Sequence, residues 1–208
     1  METVLEVYQH RYQEDFPVVC LDEALKQLVQ ETVPPIPAQP GQAARVDYQY
    51  ERHGTANLFM LCEPMAGWRH VEVTPRRTAI DYAHLLQDLV DRHYPEALQI
   101  TVVQDNLNTH RPSSLYKAFE PAEARRILSR LNFCYTPKHG SWLNMAEIEL
   151  SVLARQCLDR RIADFETLQT EVAAWVAARN QESTWIDWRF TTADARVKLK
   201  RLYPSTNN

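Results

Sequence analysis

Two apolar runs, VVCLD at 18–22 and LQITVVQD at 98–105, each end on an aspartate. Runs this short and this apolar read as buried strands, and open sheets carry their ligand sites at the C-terminal ends of strands. Asp22 and Asp105 are therefore expected to meet at one place. A third acid comes from the helical segment that begins at Leu143. At about 100° per residue, Ala146, Leu150, Leu153, Ala154, Cys157 and Leu158 share one arc; Glu147 falls inside it and Glu149 on its flank. A carboxylate turned toward a core is costly without a cation opposite it, which singles out Glu147. The ordinary alternatives are a turn or helix cap for each aspartate and a buried ion pair with an arginine for the glutamate. Asp, Asp and Glu without histidine or cysteine make an all-oxygen donor set, suited to magnesium or manganese rather than zinc. Two such ions side by side activate water and stabilise the leaving oxygen of a phosphodiester.

Such acids need rigid elements to hold them. Pro34, Pro35, Pro37 and Pro40 make a stiff exposed connection. From residue 44, ARVDYQYE, ANLFMLCE and RHVEVT read as three strands separated by turns at HGT and MAGW. Residues 78–94 place Ile80, Ala83, Leu86 and Val90 at helical spacing and stop before Pro95. Ser113–Phe119 and Pro121–Leu131 read as short helices, 132–137 as a strand, and the remainder as helices to about 158, from about 164 to 181 and from about 192 to 202. The order predicts an α/β fold, one mixed sheet flanked by helices. A single domain spans 1–208, with 160–208 as its helical extension.

Composition narrows the class. With 45% hydrophobic and 24% charged residues in 208, the chain has material for one packed core, which excludes disordered, collagen-like and coiled-coil classes. No eighteen-residue apolar run occurs and the first residues carry acids, so neither a membrane span nor a signal peptide is expected, and the cytoplasm is the expected location. Four glycines leave no phosphate-cradling loop. Cys20, Cys62, Cys134 and Cys157 form no CxxC and read as buried free thiols. Through residue 104 there are 8 basic and 15 acidic residues, against 15 and 12 afterwards, so the second half is the side that would meet a polyanion.

CLDE at 20–23, DNLNTH at 105–110 and TPKHGSWLNMAEIE at 136–149 together resemble the DDE transposases of bacterial insertion sequences in the mariner superfamily, over nearly the whole chain. The resemblance implies a ribonuclease-H-like catalytic fold in which Asp22, Asp105 and Glu147 are the catalytic acids and hold two Mg2+, with Mn2+ able to substitute. It implies DNA cleavage at transposon ends and strand transfer into target DNA at TA, without a covalent protein intermediate. The implied partner is double-stranded DNA on the bacterial chromosome, held by a dimer or larger assembly. Two departures stand out. Asp22 comes too early to leave room for the helix-turn-helix domain that such proteins use to read inverted repeats, so that domain is expected to be absent. Met145 and Ala146 stand where relatives often carry proline and isoleucine.

Asn106, Asn108, His110, Lys138 and His139 lie beside the acids in sequence and are candidate DNA contacts, as are the basic Arg160, Arg161, Lys198, Lys200 and Arg201, near Arg196. Each has an ordinary reading as a turn residue or a solvated charge. Trp142 reads as a base-stacking residue or a core anchor, and Trp175, Trp185 and Trp188 as packing for the helical extension. Two other functions fit the same residues: a non-catalytic partial transposase acting as partner or regulator, and a host nuclease on the same fold.

Overall fold

The computed structural model describes residues 1–45 and 47–203. It opens with a helix that periodicity does not reveal, α1 (Glu2–Gln9), whose buried residues are Val4 and Leu5 alone. Two apolar positions are too few to mark a helix in sequence. Five strands follow: β1 (Val18–Glu31), β2 (Tyr50–Glu63), β3 (Trp68–Thr74), β4 (Ile100–Gln104) and β5 (Leu131–Tyr135). They form one mixed sheet in the order β3-β2-β1-β4-β5. β1 runs antiparallel to β2, β2 antiparallel to β3, and β4 parallel to both β1 and β5.

β1 is far longer than its apolar run. Its parallel partner reaches only Val18, Val19 and Cys20, whereas pairing with β2 continues to Glu31 opposite Tyr50. The apolar run stops where β4 stops; Leu21–Leu25 still pair with the part of β2 that β3 flanks, and only from Lys26 on do β1 and β2 form a two-stranded ribbon, in which Leu28 stays buried. The expected turn at HGT is instead a bulge inside β2. Gln27 faces Thr55 and Val29 faces Arg52, so His53 and Gly54 together oppose Leu28, and Gly54 supplies the positive φ of 100° that such a bulge requires. Of ARVDYQYE, position 46 lies outside the described residues and only Tyr50 and Glu51 lie in β2; the Pro-rich stretch closes back on itself through bridges pairing Ile36 with Arg45 and Gln39 with Gln42.

Side-chain alternation along the strands divides the interior into two cores. Val18, Cys20, Leu58, Met60 and Val103 face the first, closed by α1, α5 (Ala146–Leu153), α6 (Phe165–Gln181) and α7 (Thr192–Lys198). Val19, Leu21, Phe59, Leu61 and Val102 face the second, under α2 (Ala79–Asp88), α3 (Leu115–Ala118) and α4 (Pro121–Ser129). α2 begins at a capping box formed by Thr78 and Asp81, and buries Tyr82, Ala83, Leu85 and Leu86 while Ile80 stays exposed. All four cysteines are free and buried, although Cys20 and Cys62, distant in sequence, face each other across the β1–β2 ladder. Trp175 and Trp188 pack the C-terminal helices as expected, but Trp185 is 62% exposed. Among the described residues no helix is long and apolar enough to cross a membrane.

Candidate active site

The parallel register sets Cys20 opposite Val103. Asp22 and Asp105 each lie two residues farther along, so they stand abreast where the β1–β4 ladder ends. Asp105, just past the end of β4, lies near enough for its charge to be felt at Asp22, and alternation along β1 turns Asp22 toward the face of Cys20. That is the face covered by α5. Asp22 is thus inside a strand rather than at its end; what ends there is its neighbour.

Asn144 brings the third acid to the same place. Its Nδ2 donates to the carbonyl of Leu21 at 2.7 Å, its Oδ1 accepts from the Ala146 N–H at 3.2 Å, and its carbonyl accepts from the Glu147 N–H at 3.1 Å. One side chain therefore ties the first turn of α5 to the residue preceding Asp22. Glu147 is not the acid that α5 turns into the core. Glu149 is the buried carboxylate, 1% exposed, with its Oε2 at 3.0 Å from Arg69 Nε and its Oε1 at 3.3 Å from Arg179 Nη2; Glu147 is only partly covered. The wheel assumed regular helix from Leu143, whereas α5 starts at Ala146 and gives way to a wider π-helical turn at Ala154–Leu158, which shifts the phase.

Among the described residues no three His, Cys, Asp or Glu side chains close tightly enough on one point to enclose an ion. Their proximity is felt all the same. Burial pushes the Asp22 carboxyl up to about 7, aided by the negative charges of Glu23, Glu147 and Asp105. Each aspartate has one oxygen engaged. Asp22 Oδ1 accepts from the Glu23 N–H at 2.8 Å. Asp105 Oδ1 accepts from the Leu107 N–H at 3.2 Å and from His110 Nδ1 at 2.6 Å. Neither Oδ2 has a hydrogen bond among the described residues.

His110, expected among the DNA contacts, does not reach the surface. It is fully buried, with Nε2 at 3.1 Å from Glu23 Oε2 on its far side. Carboxylates only accept, so Nδ1 is the donor to Asp105, while Nε2 meets Glu23 at ion-pair distance without hydrogen-bond alignment. Burial alone would lower the pKa of His110, but Asp105 and Glu23 outweigh that and raise it to about 9. For Asp105 burial is likewise overcome by His110, which holds the carboxyl below its usual value. Sequence reading gave Glu23 no part; it follows Asp22 and so falls on the opposite face of the sheet, where only the fold reveals its partner.

A cleft of about 580 Å³ opens beside Asp105, lined by Asn106, Asn108, Lys138 and His139. Lys138, His139 and Trp142 also line a smaller hollow against Leu202, which brings the turn Lys200–Leu202 alongside. Trp142, 42% exposed, continues into a third hollow with Glu147 and Arg155. The resulting groove passes both Asp105 and Glu147. Three of the expected contacts also pair within the chain. Arg160 pairs with Glu171 at 2.5 Å. Arg161 pairs with Glu31 and lies over the Tyr50 ring at 5.4 Å, bracing the β1–β2 ribbon. Lys198 pairs with Asp194 at 3.4 Å.

The fold has solved counterparts. The Mos1 mariner paired-end complex with Mn aligns with TM-score 0.60 and 18% identity, and the Mos1 strand transfer complex with 0.59 and 18%; each alignment covers 88% of this chain and 54% of the other. The catalytic domain of Mos1 mariner transposase aligns with 0.58 and 14% identity, over 88% of this chain and 80% of that one. The chain thus spans about half the length of the first two, and at such identities the likeness establishes the ribonuclease-H-like fold. No curated protein matches it in sequence. The family comparison is decisive, since residues 17–169, which include all three acids, match the DDE superfamily endonucleases: the chain belongs to that family.

Proposed function

We propose that this chain is the catalytic part of a DNA transposase that cuts at transposon ends and transfers the freed strand into target DNA, acting in the bacterial cytoplasm on the chromosome. The observation that carries the reading is the pair of aspartates where the β1–β4 ladder ends, Asp22 within β1 and Asp105 just past β4, with Glu147 tethered beside them through Asn144. The donor set fits a divalent cation: it is all oxygen, each aspartate keeps one unengaged oxygen, and Asp22 is raised to about 7 by burial and by neighbouring negative charge that a cation would relieve. Asp22, Asp105 and Glu147 would hold two Mg2+, or Mn2+ in their place. When bound, such ions supply positive charge to the attacking and leaving oxygens of a phosphodiester. His110 keeps Asp105 ionised, and Asn144 fixes the first turn of α5. Lys138 and His139 face the groove, with Lys200 and Arg201 beside it, where they would engage phosphates. The Mos1 structures include paired-end complexes, and on the same reading two or more copies of this chain would hold two DNA ends.

The test is incubation with a duplex carrying the element's end and with a target plasmid. Cleavage and joined product are expected in Mg2+ or Mn2+, and both are expected to vanish in excess chelator and in Asp105→Asn. Cutting without joining would favour the nuclease reading, and no cutting with either metal would favour the non-catalytic partner.

Phosphate contacts carry little sequence information and weaken steeply with salt. Lys138→Ala is expected to lower affinity equally for the element's end and a scrambled duplex, and to reduce the slope of log K against log salt by about 1. Arg161→Ala, which removes an intramolecular pair, should leave that slope unchanged. Titrations at several salt concentrations decide it; a loss confined to one sequence would assign Lys138 to base reading instead.

A further inference from the structure

The pair Glu23–His110 lies on the far side of Asp105 from the groove, in an interior where buried polar groups need partners. His110 Nδ1 reaches Asp105 Oδ1 at 2.6 Å and Nε2 reaches Glu23 Oε2 at 3.1 Å. The ring cannot turn freely. It packs against Tyr82 with centroids 4.9 Å apart, and the His110 carbonyl accepts from Gln104 Nε2 at 3.2 Å and from the Tyr135 hydroxyl at 3.1 Å. The Tyr82 hydroxyl in turn donates to Gln104 Oε1 at 2.8 Å. Glu23 is the residue after Asp22, so the chain of contacts starts on β1 beside one acid and ends on the other.

We infer that His110 is a positioning residue, braced by Glu23, that fixes the rotation of the Asp105 carboxylate so that Oδ1 is held and Oδ2 is presented to a divalent cation. The inference rests on the metal-binding reading above. It predicts that metal affinity depends on the bond to Nδ1 rather than on the bulk of the ring. Asn at this position places an amide N–H near where Nδ1 stood, whereas Gln places one near Nε2.

The experiment is titration of the full chain with Mn2+ alone, without DNA, following free Mn2+ by electron paramagnetic resonance, with thermal unfolding of each variant alongside. His110→Gln is expected to weaken Mn2+ binding by about 10- to 100-fold, the usual effect of losing the partner that orients a metal ligand, and His110→Asn by less than about a third of that factor. A packing role alone would lower both affinities together, in step with the unfolding midpoints, and would overturn the inference. So would wild-type affinity in His110→Gln. Glu23→Gln, which leaves an acceptor for Nε2 and the smallest disturbance to folding, is expected to weaken Mn2+ binding a few-fold; unchanged affinity there overturns the role of Glu23. Asp105→Asn separates the two levels: if it binds Mn2+ as the wild type does, the metal reading itself fails, whereas loss there with no effect in His110→Gln refutes only the positioning role.

Discussion

Asp22→Asn abolishes metal-dependent DNA cleavage and, at the same time, makes the metal-free protein more stable above neutral pH. The loss follows from removing a carboxylate that would hold the catalytic cation: several kcal/mol of transition-state stabilisation correspond to a rate loss on the order of 10³-fold or more at about 1.4 kcal/mol per tenfold. The gain follows from linkage. With its folded pKa raised from 3.8 to about 7, Asp22 favours the native state fully below about pH 4, where both states are protonated, and that contribution is lost as pH rises through 7. Above that point the native state carries a buried charge among like charges, at a cost of about 2–4 kcal/mol. Asparagine keeps the oxygen that accepts from the Glu23 N–H and removes the charge. The unfolding midpoint of the variant in chelator should therefore exceed that of the wild type by about 5–10 °C at pH 8, with little difference at about pH 4. Mg2+ should raise the midpoint of the wild type by mass action and leave the variant nearly unmoved. A difference that does not grow with pH, or cleavage that survives the substitution, would remove Asp22 from the site.

Asp22 and Asp105 were legible because each closes an apolar run, and apolar runs end where a strand loses a covered neighbour. The rest of β1 was not, because beyond Cys20 it has a strand on one side only and its mostly half-covered, largely polar side chains show no clean alternation. α1 was hidden for a similar reason, being held by tertiary contacts such as the bond from the Tyr8 hydroxyl to the Leu143 carbonyl at 2.7 Å rather than by a long apolar stripe. Glu23 and His110 illustrate the deeper limit. They are 87 positions apart in sequence, and only the parallel placement of β1 and β4 brings their side chains to 3.1 Å. The basic residues divided on the same ground: charge is visible in sequence, but whether Arg161 meets DNA or Glu31 depends on where the ribbon runs.

The two glutamates of α5 separate function from stability within one turn of helix. Glu149 sits between Arg69 and Arg179, with Arg69 Nη2 donating to its Oε1 at 3.1 Å and Arg69 Nε at 3.0 Å from Oε2. The Arg69 guanidinium also reaches the carbonyls of Gly67 and Thr184, at 2.8 and 2.6 Å, so Glu149 is the counter-charge on which β3, α5 and the segment after α6 converge. Removing one partner of a buried pair leaves the other charge uncompensated, which costs about 3–5 kcal/mol. Glu149→Ala is therefore expected to lower the unfolding midpoint by about 10 °C or more, and Glu149→Gln, which keeps an acceptor, by somewhat less. Glu147→Gln does the opposite: its stability should stay within about 0.5 kcal/mol of wild type, as for a substitution that breaks no buried contact, while cleavage falls on the order of 10³-fold. Thermal unfolding and cleavage assays on the four proteins distinguish the roles. If Glu149→Gln unfolds like the wild type and loses cleavage, the acid that belongs to the catalytic set is Glu149, and the tether through Asn144 positions the wrong residue for the chemistry proposed.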